Sequence, residues 1–142
     1  AGVIDQLSPV DSINEIEFKN IVETNYIANF ILIKSFHYLL KNSKNGRLVI
    51  LSTNQNDDGQ YWGVYRPIMK ALNALVITYA NENKKTKIKA NILCPSSVNT
   101  SFRDKIMPGE DKKTLLSPFM VAQKILELTS QDYRLTGKII NI

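Results

Sequence analysis

Gly46-Arg47-Leu48-Val49-Ile50-Leu51-Ser52-Thr53, a polar loop, then Trp62-Gly63-Val64-Tyr65-Arg66-Pro67-Ile68-Met69-Lys70-Ala71-Leu72-Asn73-Ala74-Leu75: the reading of this stretch decides the fold. Leu48 to Leu51 is a short apolar run bounded by turn residues, the pattern of a strand buried on both faces. Asn54-Gln55-Asn56-Asp57-Asp58-Gly59 reads as a plain loop. From Val64 to Asn83 the apolar residues Ile68, Leu72, Leu75 and Tyr79 recur at helical spacing. Pro67 falls in the first turn of that helix, where its missing N–H would have no helical partner anyway. A strand ending in two hydroxyls is thus followed by a helix that opens on a tyrosine.

Outward from this centre, strands and helices alternate. From Ile13 to Asn42 apolar residues keep helical spacing through Ile16, Ile21, Phe30, Ile33, Phe36 and Leu40. Asp11 or Ser12 is expected to cap the start, Asn45-Gly46 to mark the exit, and a bend near Asn25 to divide a short helix from a long one. Ile88 to Leu93 predicts a second strand, stopped by Pro95. Ser96 to Leu116 is mostly polar and reads as a mobile loop with a short helix. Ser117-Pro118 opens a third helix to Thr129, and Thr136-Gly137 turns into a last strand, Lys138 to Ile142. Such alternation requires crossover connections and a parallel sheet covered on both faces.

The bulk properties bound the function. At 142 residues the chain suffices for one domain and is too short for two. No apolar run approaches the ~20 residues of a membrane span, and Ala1-Gly2-Val3-Ile4-Asp5 does not read as a secretory signal. A single cysteine, Cys94, excludes an internal disulfide and suits a reducing, cytoplasmic setting. One His and one Cys do not make a usual zinc set, so no metal is expected. The net charge of +5 has its densest source in Lys84-Lys85-Thr86-Lys87-Ile88-Lys89, where cations complement a helix C-terminus and need no nucleic acid. His37 reads as a surface or interface side chain.

Six stretches, in order and together spanning the chain, resemble the short-chain dehydrogenase/reductase family. Ala1-Gly2 is similar to the end of the Asn-Asn-Ala-Gly segment, and Asn25 to the Asn on the proton-relay path. Ser52-Thr53 is similar to the Ser-Ser that orients substrate, and Tyr65 to the catalytic acid/base. Cys94-Pro95-Ser96-Ser97-Val98-Asn99-Thr100 resembles Pro-Gly-x-Val-x-Thr, and Thr136-Gly137 the closing Thr-Gly. Trp62-Gly63-Val64-Tyr65 with the Arg103 to Pro108 loop looks especially like a bacterial subgroup of poorly characterised reductases.

The resemblance implies an α/β Rossmann-like three-layer sandwich with a parallel sheet, truncated to its last three strands and their helices. Residues 1–142 would then form one partial domain lacking the glycine-rich nucleotide-binding portion; no Gly-x-Gly occurs in the sequence. It also implies NAD or NADP as cofactor and a small carbonyl or alcohol as substrate. Tyr65, Thr53, Ser52 and Asn25 take the catalytic positions, and Pro95, Ser96, Val98 and Thr100 those around the nicotinamide. Asn25 can equally mark only the helix bend, and Ser52 and Thr53 can be strand-end caps.

The family's Lys, four residues after the Tyr, is replaced here by Met69, with Lys70 one position late as a possible substitute. A free phenol has a pKa near ~10, and an ammonium about 4 Å away would favour phenolate by roughly 4 kcal/mol. Met69 offers no such charge. Lys70 is turned by roughly 100° around the helix and is expected to point elsewhere. Three functional readings follow: an oxidoreductase by descent, impaired as this chain alone; a non-catalytic interaction module; or one half of a protein whose nucleotide-binding half is a separate chain. Self-association is expected through the two long helices, using Phe30, Ile33, Phe36 and Leu40 with Ile68, Leu72, Leu75 and Tyr79.

Overall fold

A computed structural model describes residues 2–54 and 59–142, so most of the loop expected from Asn54 to Gly59 lies outside the described residues. The three strands, β1 (Arg47–Leu51), β2 (Lys89–Cys94) and β3 (Ile139–Asn141), form one parallel sheet in the order β1-β2-β3. The register sets Arg47 opposite Lys89 and Leu51 opposite Leu93, then Ile92 opposite Ile139. The helices are α1 (Glu15–Val22), α2 (Ala28–Asn42), α3 (Tyr65–Glu82), α4 (Ser101–Ile106) and α5 (Pro118–Thr129). This is the α/β class that the alternating pattern requires, with α3 crossing from β1 to β2.

Side-chain alternation along β2 makes the layers. Ala90, Ile92 and Cys94 face a cluster with Leu72, Val76 and Ala80 of α3, whereas Leu93 faces Val121 and Leu128 of α5. Residues Ala90–Cys94 are almost fully buried, as the central strand of a sheet covered on both faces must be. Asn91 is buried among them because both ends of its amide are used: Nδ2 donates to the Leu135 carbonyl at 3.0 Å and Oδ1 accepts from the Lys138 N–H at 3.0 Å. Among the described residues β1 pairs on one side only, with β2, and Leu51 is exposed.

Two local expectations change and a third is filled in. Asn14, not Asp11 or Ser12, caps α1: its Oδ1 accepts from the N–H groups of Ile16 and Glu17, while Asp11 and Ser12 are used in a preceding 3₁₀ turn. The bend near Asn25 is a π-turn, Glu23–Ile27, which keeps α1 and α2 continuous. The segment 96–116 carries the expected short helix, α4, and adds a 3₁₀ turn (Lys112–Thr114) and a forked Arg103–Glu110 pair with two 2.7 Å bonds.

The two long helices also divide their apolar residues more sharply than one wide stripe would. Ile33, Leu72 and Tyr79 belong to the buried core, so they are not available to a second copy. Phe30 and Phe36 are exposed, as are Ile31, Leu32, Tyr38 and Leu39.

Arg47, at the start of β1, ties the sheet to the segment that follows α5. Its guanidinium donates to the carbonyls of Ser130 (3.2 Å), Gln131 (3.3 Å) and Tyr133 (3.0 Å), just beyond the C-terminus of α5. Burial lowers its pKa first, the nearby Arg134 second, without bringing it near neutrality. Arg47→Met is expected to lower stability by about 1.5–3 kcal/mol, since it leaves several carbonyls without a charged donor. Urea denaturation measures this, and an unchanged midpoint would show the contacts to be idle.

Candidate active site

Tyr65 is the first residue of α3 and is buried at 8% exposure. The turn ahead of it positions the ring: Gly63 has φ +49°, and Tyr61 also sits in the left-handed region at φ +67°. Tyr61 is held there by its carbonyl, which accepts from the Ser8 N–H at 2.6 Å. Strained backbone of this kind is retained where its surroundings over-determine it. Trp62 and Phe102 both pack against the Tyr65 ring, at centroid distances of 5.9 and 6.2 Å. Burial raises the phenol pKa above its ordinary value, and the charge of Arg66 opposes that rise.

Ser52 and Thr53 follow directly from β1. Ser52 continues the sheet, its N–H donating to the Leu93 carbonyl at 2.9 Å, and its hydroxyl lies 3.5 Å from the Met69 carbonyl. The Thr53 carbonyl accepts from Asn73 Nδ2 at 3.3 Å and from the Cys94 thiol at 3.2 Å. Burial pushes that thiol up to about 11, so Cys94 is a packed, unreactive side chain at neutral pH.

Two adjoining clefts meet at Tyr65. One, of about 480 Å³, has Asn25, Asn29, Ser52, Met69 and Phe102 around the tyrosine. The other, of about 370 Å³, brings Thr53, Arg66, Pro95, Ser96, Val98 and Thr100 to it. The structure therefore gathers the catalytic candidates Tyr65, Thr53, Ser52 and Asn25 with the loop candidates Pro95, Ser96, Val98 and Thr100 at one end of the sheet. Met69 lies buried one helical turn below Tyr65. Lys70 is exposed and lines neither cleft, so the structure does not bring it to Tyr65.

Asn25 is fully engaged. Its Oδ1 accepts from the Val3 N–H at 2.9 Å and its Nδ2 donates to the Val3 carbonyl at 2.8 Å, pinning the N-terminal segment to the π-turn. The π-turn displaces backbone carbonyls from the regular ladder, and the Asn25 carbonyl accepts from Asn29 Nδ2 at 2.9 Å. Thr100 has a local role too, its Oγ1 capping α4 through the Arg103 N–H at 3.2 Å.

Sequence reasoning missed Asn29, Phe102 and the two guanidiniums of Arg66 and Arg103. Helical spacing directs attention to positions four along from Tyr65, yet the cleft wraps around the first turn of α3 and so reaches its immediate neighbour. No group of three or more His, Cys, Asp or Glu among the described residues is arranged to hold a metal. Nor is any described helix long and apolar enough to cross a membrane.

Comparison with known proteins agrees with this fold. The short chain dehydrogenase family profile matches residues 1–111. The uncharacterized oxidoreductase YciK of Escherichia coli K12 is 26% identical over 135 residues, covering 94% of this chain and 53% of its own. Among solved structures, a short chain dehydrogenase from Salmonella enterica serovar Typhi CT18 superposes with a TM-score of 0.93 at 25% identity, over 99% of this chain and 59% of that one. One from Shigella flexneri 2a strain 301, solved with NADP, gives 0.92 at 25% identity, over 99% of this chain and 59% of that one. The chain belongs to the short-chain dehydrogenase family and spans a little over half the length of these relatives.

Proposed function

We propose that this chain carries the substrate-binding and proton-transfer half of a nicotinamide-dependent oxidoreductase acting on a small carbonyl or alcohol, and that Met69 weakens its chemistry. The observation that supports this most is Tyr65 opening α3 at the meeting of two clefts, beside Ser52, Thr53 and the Pro95 to Thr100 loop.

The second cleft fits the carboxamide end of a nicotinamide in chemistry: hydroxyls of Ser96, Ser97 and Thr100 and backbone groups surround it, with the ring of Pro95 as an apolar wall. When bound, the nicotinamide supplies or accepts the hydride. Ser52 and Thr53 bond the substrate oxygen and turn it toward the Tyr65 hydroxyl. Tyr65 gives its phenol proton to the forming alkoxide in reduction, and in oxidation takes the proton back as phenolate. Trp62 and Phe102 keep water from the ring. With its pKa raised, Tyr65 is the protonated donor at neutral pH and a poor base.

The pyrophosphate of NAD or NADP needs a glycine-rich turn at a helix N-terminus, and this sequence has no Gly-x-Gly. A nucleotide-binding half, covalent or separate, is the partner this reading requires. The unpaired edge of β1 and the apolar groove of about 610 Å³ beside it, lined by Leu32, Phe36, Leu39, Leu48 and Ile50, support a strand seated there. Phe30, Ile31 and Tyr38, exposed on α2, support self-association through the remaining face. A cytoplasmic location goes with the same reading.

The residues 1–142 alone are expected to bind NAD(H) or NADP(H) no tighter than about millimolar, because the phosphate-binding element lies elsewhere. Calorimetric titration checks it, and low-micromolar affinity would refute it. The reading as a whole is tested by supplying a family nucleotide-binding half, fused or mixed, and assaying a panel of carbonyls with NADPH and NADH. Measurable reduction that Tyr65→Phe lowers by on the order of 10²-fold or more supports it. Activity indifferent to Tyr65 overturns it.

A further inference from the structure

We propose that Asn73 of α3 is a positioning residue: its amide holds the Thr53 carbonyl and so sets the Ser52 and Thr53 hydroxyls beside the two clefts. This rests on the reading of Ser52 and Thr53 given above and adds what keeps them in place.

The end of β1 needs an outside hold. Lys89 donates its N–H to the Gly46 carbonyl, and a parallel ladder steps by two residues, so the donor to the Ser52 carbonyl would be residue 95, a proline. The Ser52 N–H still reaches the Leu93 carbonyl at 2.9 Å, and among the described residues no backbone bond to β2 follows it. Thr53 therefore lies beyond the ladder. It lines the second cleft, and among the described residues its hydroxyl has no hydrogen-bond partner. What fixes it is its carbonyl, which accepts from Asn73 Nδ2 at 3.3 Å and from the Cys94 thiol at 3.2 Å. One turn earlier on α3, the Met69 carbonyl lies 3.5 Å from the Ser52 hydroxyl. Two successive turns of the helix that carries Tyr65 thus hold the two residues that would share a substrate oxygen with it.

The core gives Asn73 no other reason to be there. It is fully buried, and its Oδ1 has no hydrogen-bond partner among the described residues. A carbonyl only accepts, so the end of the amide that faces Thr53 is the nitrogen and the oxygen is the end left over. Asn25 and Asn91 are as deeply buried and use both ends of their amides. Leucine has the same branched outline, suits a helix better and leaves no buried acceptor without a donor. An amide kept in the core against that preference is accounted for by the one bond it makes.

The test begins with the chain alone. Asn73→Leu is expected to leave the urea midpoint unchanged or raised, since an unsatisfied acceptor goes together with the lost bond. In the same variant, hydrogen exchange at the Ser52 N–H should quicken roughly five- to tenfold relative to the Ile92 N–H, which bonds to the Lys138 carbonyl inside the sheet. Cys94→Ala removes the other donor to the same carbonyl, so the double variant should raise this ratio by more than the product of the single effects. Asn73→Ala adds no bulk and is scored on the same ratio, which decides the matter if leucine overpacks the site. A ratio at the parent value in both Asn73 variants overturns the assignment, as does a double variant that is merely additive. A lowered midpoint in Asn73→Leu with an unmoved ratio makes Asn73 a packing residue only. In the enzyme completed with a nucleotide-binding half, Asn73→Leu should lower kcat by about tenfold and leave the KM for NADPH in place. An unchanged kcat there also overturns the positioning role. An inactive parent counts against the oxidoreductase reading, while the exchange ratio still decides what Asn73 holds.

Discussion

Met69→Lys is expected to raise alcohol oxidation at neutral pH by on the order of 10²–10³-fold once a nucleotide-binding half completes the chain. Oxidation needs Tyr65 as phenolate, and burial holds the phenol above its ordinary pKa, the charge of Arg66 opposing that rise less strongly. Position 69 is buried one turn along α3 and lines the same cleft, so an ammonium on that stem enters beside the ring. At about 4 Å and an effective dielectric of about 20, the attraction is roughly 4 kcal/mol. That corresponds to about three pKa units before the cost of desolvating the lysine is subtracted.

The sign of the pH dependence follows. The parent's oxidation rate should climb with pH from about 6 to 9 without a plateau, because the phenolate fraction is still rising throughout. In Met69→Lys the climb should level off at lower pH. Reduction uses the protonated phenol, abundant in both proteins over this range, so its gain should be smaller. Rates of both directions measured across that interval decide the matter. Indistinguishable oxidation profiles for parent and variant would remove Tyr65 protonation from the explanation.

The sheet was legible because its strands carry two independent signals. Leu48 to Leu51 is an unbroken apolar run bounded by turn residues, while Ile88 to Leu93 sets Ile88, Ala90, Ile92 and Leu93 ahead of Pro95, which cannot continue a ladder. The structure starts β1 one residue earlier, at Arg47, shifts β2 one residue along, to Lys89–Cys94, and shortens the last strand to Ile139–Asn141. The cap of α1 was less legible: Asp11, Ser12 and Asn14 are all good capping residues within four positions. Only the geometry of the 3₁₀ turn decides for Asn14. The bend at Asn25 was visible as an interruption, but the partner of its amide, the backbone of Val3, lies 22 residues away, where no local pattern points.

For the site, motif spacing led to Tyr65, Ser52 and the Pro95 to Thr100 loop, which the fold gathers around two clefts. Arg66 was legible as a residue and invisible as part of the cleft lining. Its approach to the cleft depends on Trp62 and Gly59, which belong to the turn before the helix and not to the helical pattern. Lys70 shows the converse, where a charge one position from the motif lies on the exposed side of α3 and does not reach the phenol.

Leu72→Glu is expected to unfold the chain, and this separates core from contact surface on α3. Leu72 is 1% exposed and packs with Val76, Ile92 and Ala90 where α3 crosses the sheet. A carboxylate there has no partner, and its desolvation together with the lost packing exceeds about 4 kcal/mol, a large part of the ~5–15 kcal/mol a domain has in total. The folded state would raise the pKa of that glutamate, so the destabilisation is fullest above the raised value and eases as pH falls from there to the ordinary carboxyl value. Ile31→Glu makes the contrast. Ile31 is 52% exposed on α2, and a charge placed there should change the urea midpoint by less than about 0.5 kcal/mol. If copies of the chain meet through this face, Ile31→Glu will lower the sedimenting mass toward the 16.1 kDa monomer while circular dichroism stays unchanged. Leu72→Glu will lose both together. A folded Leu72→Glu with the parent's urea midpoint would mean that α3 does not seat this residue against the sheet.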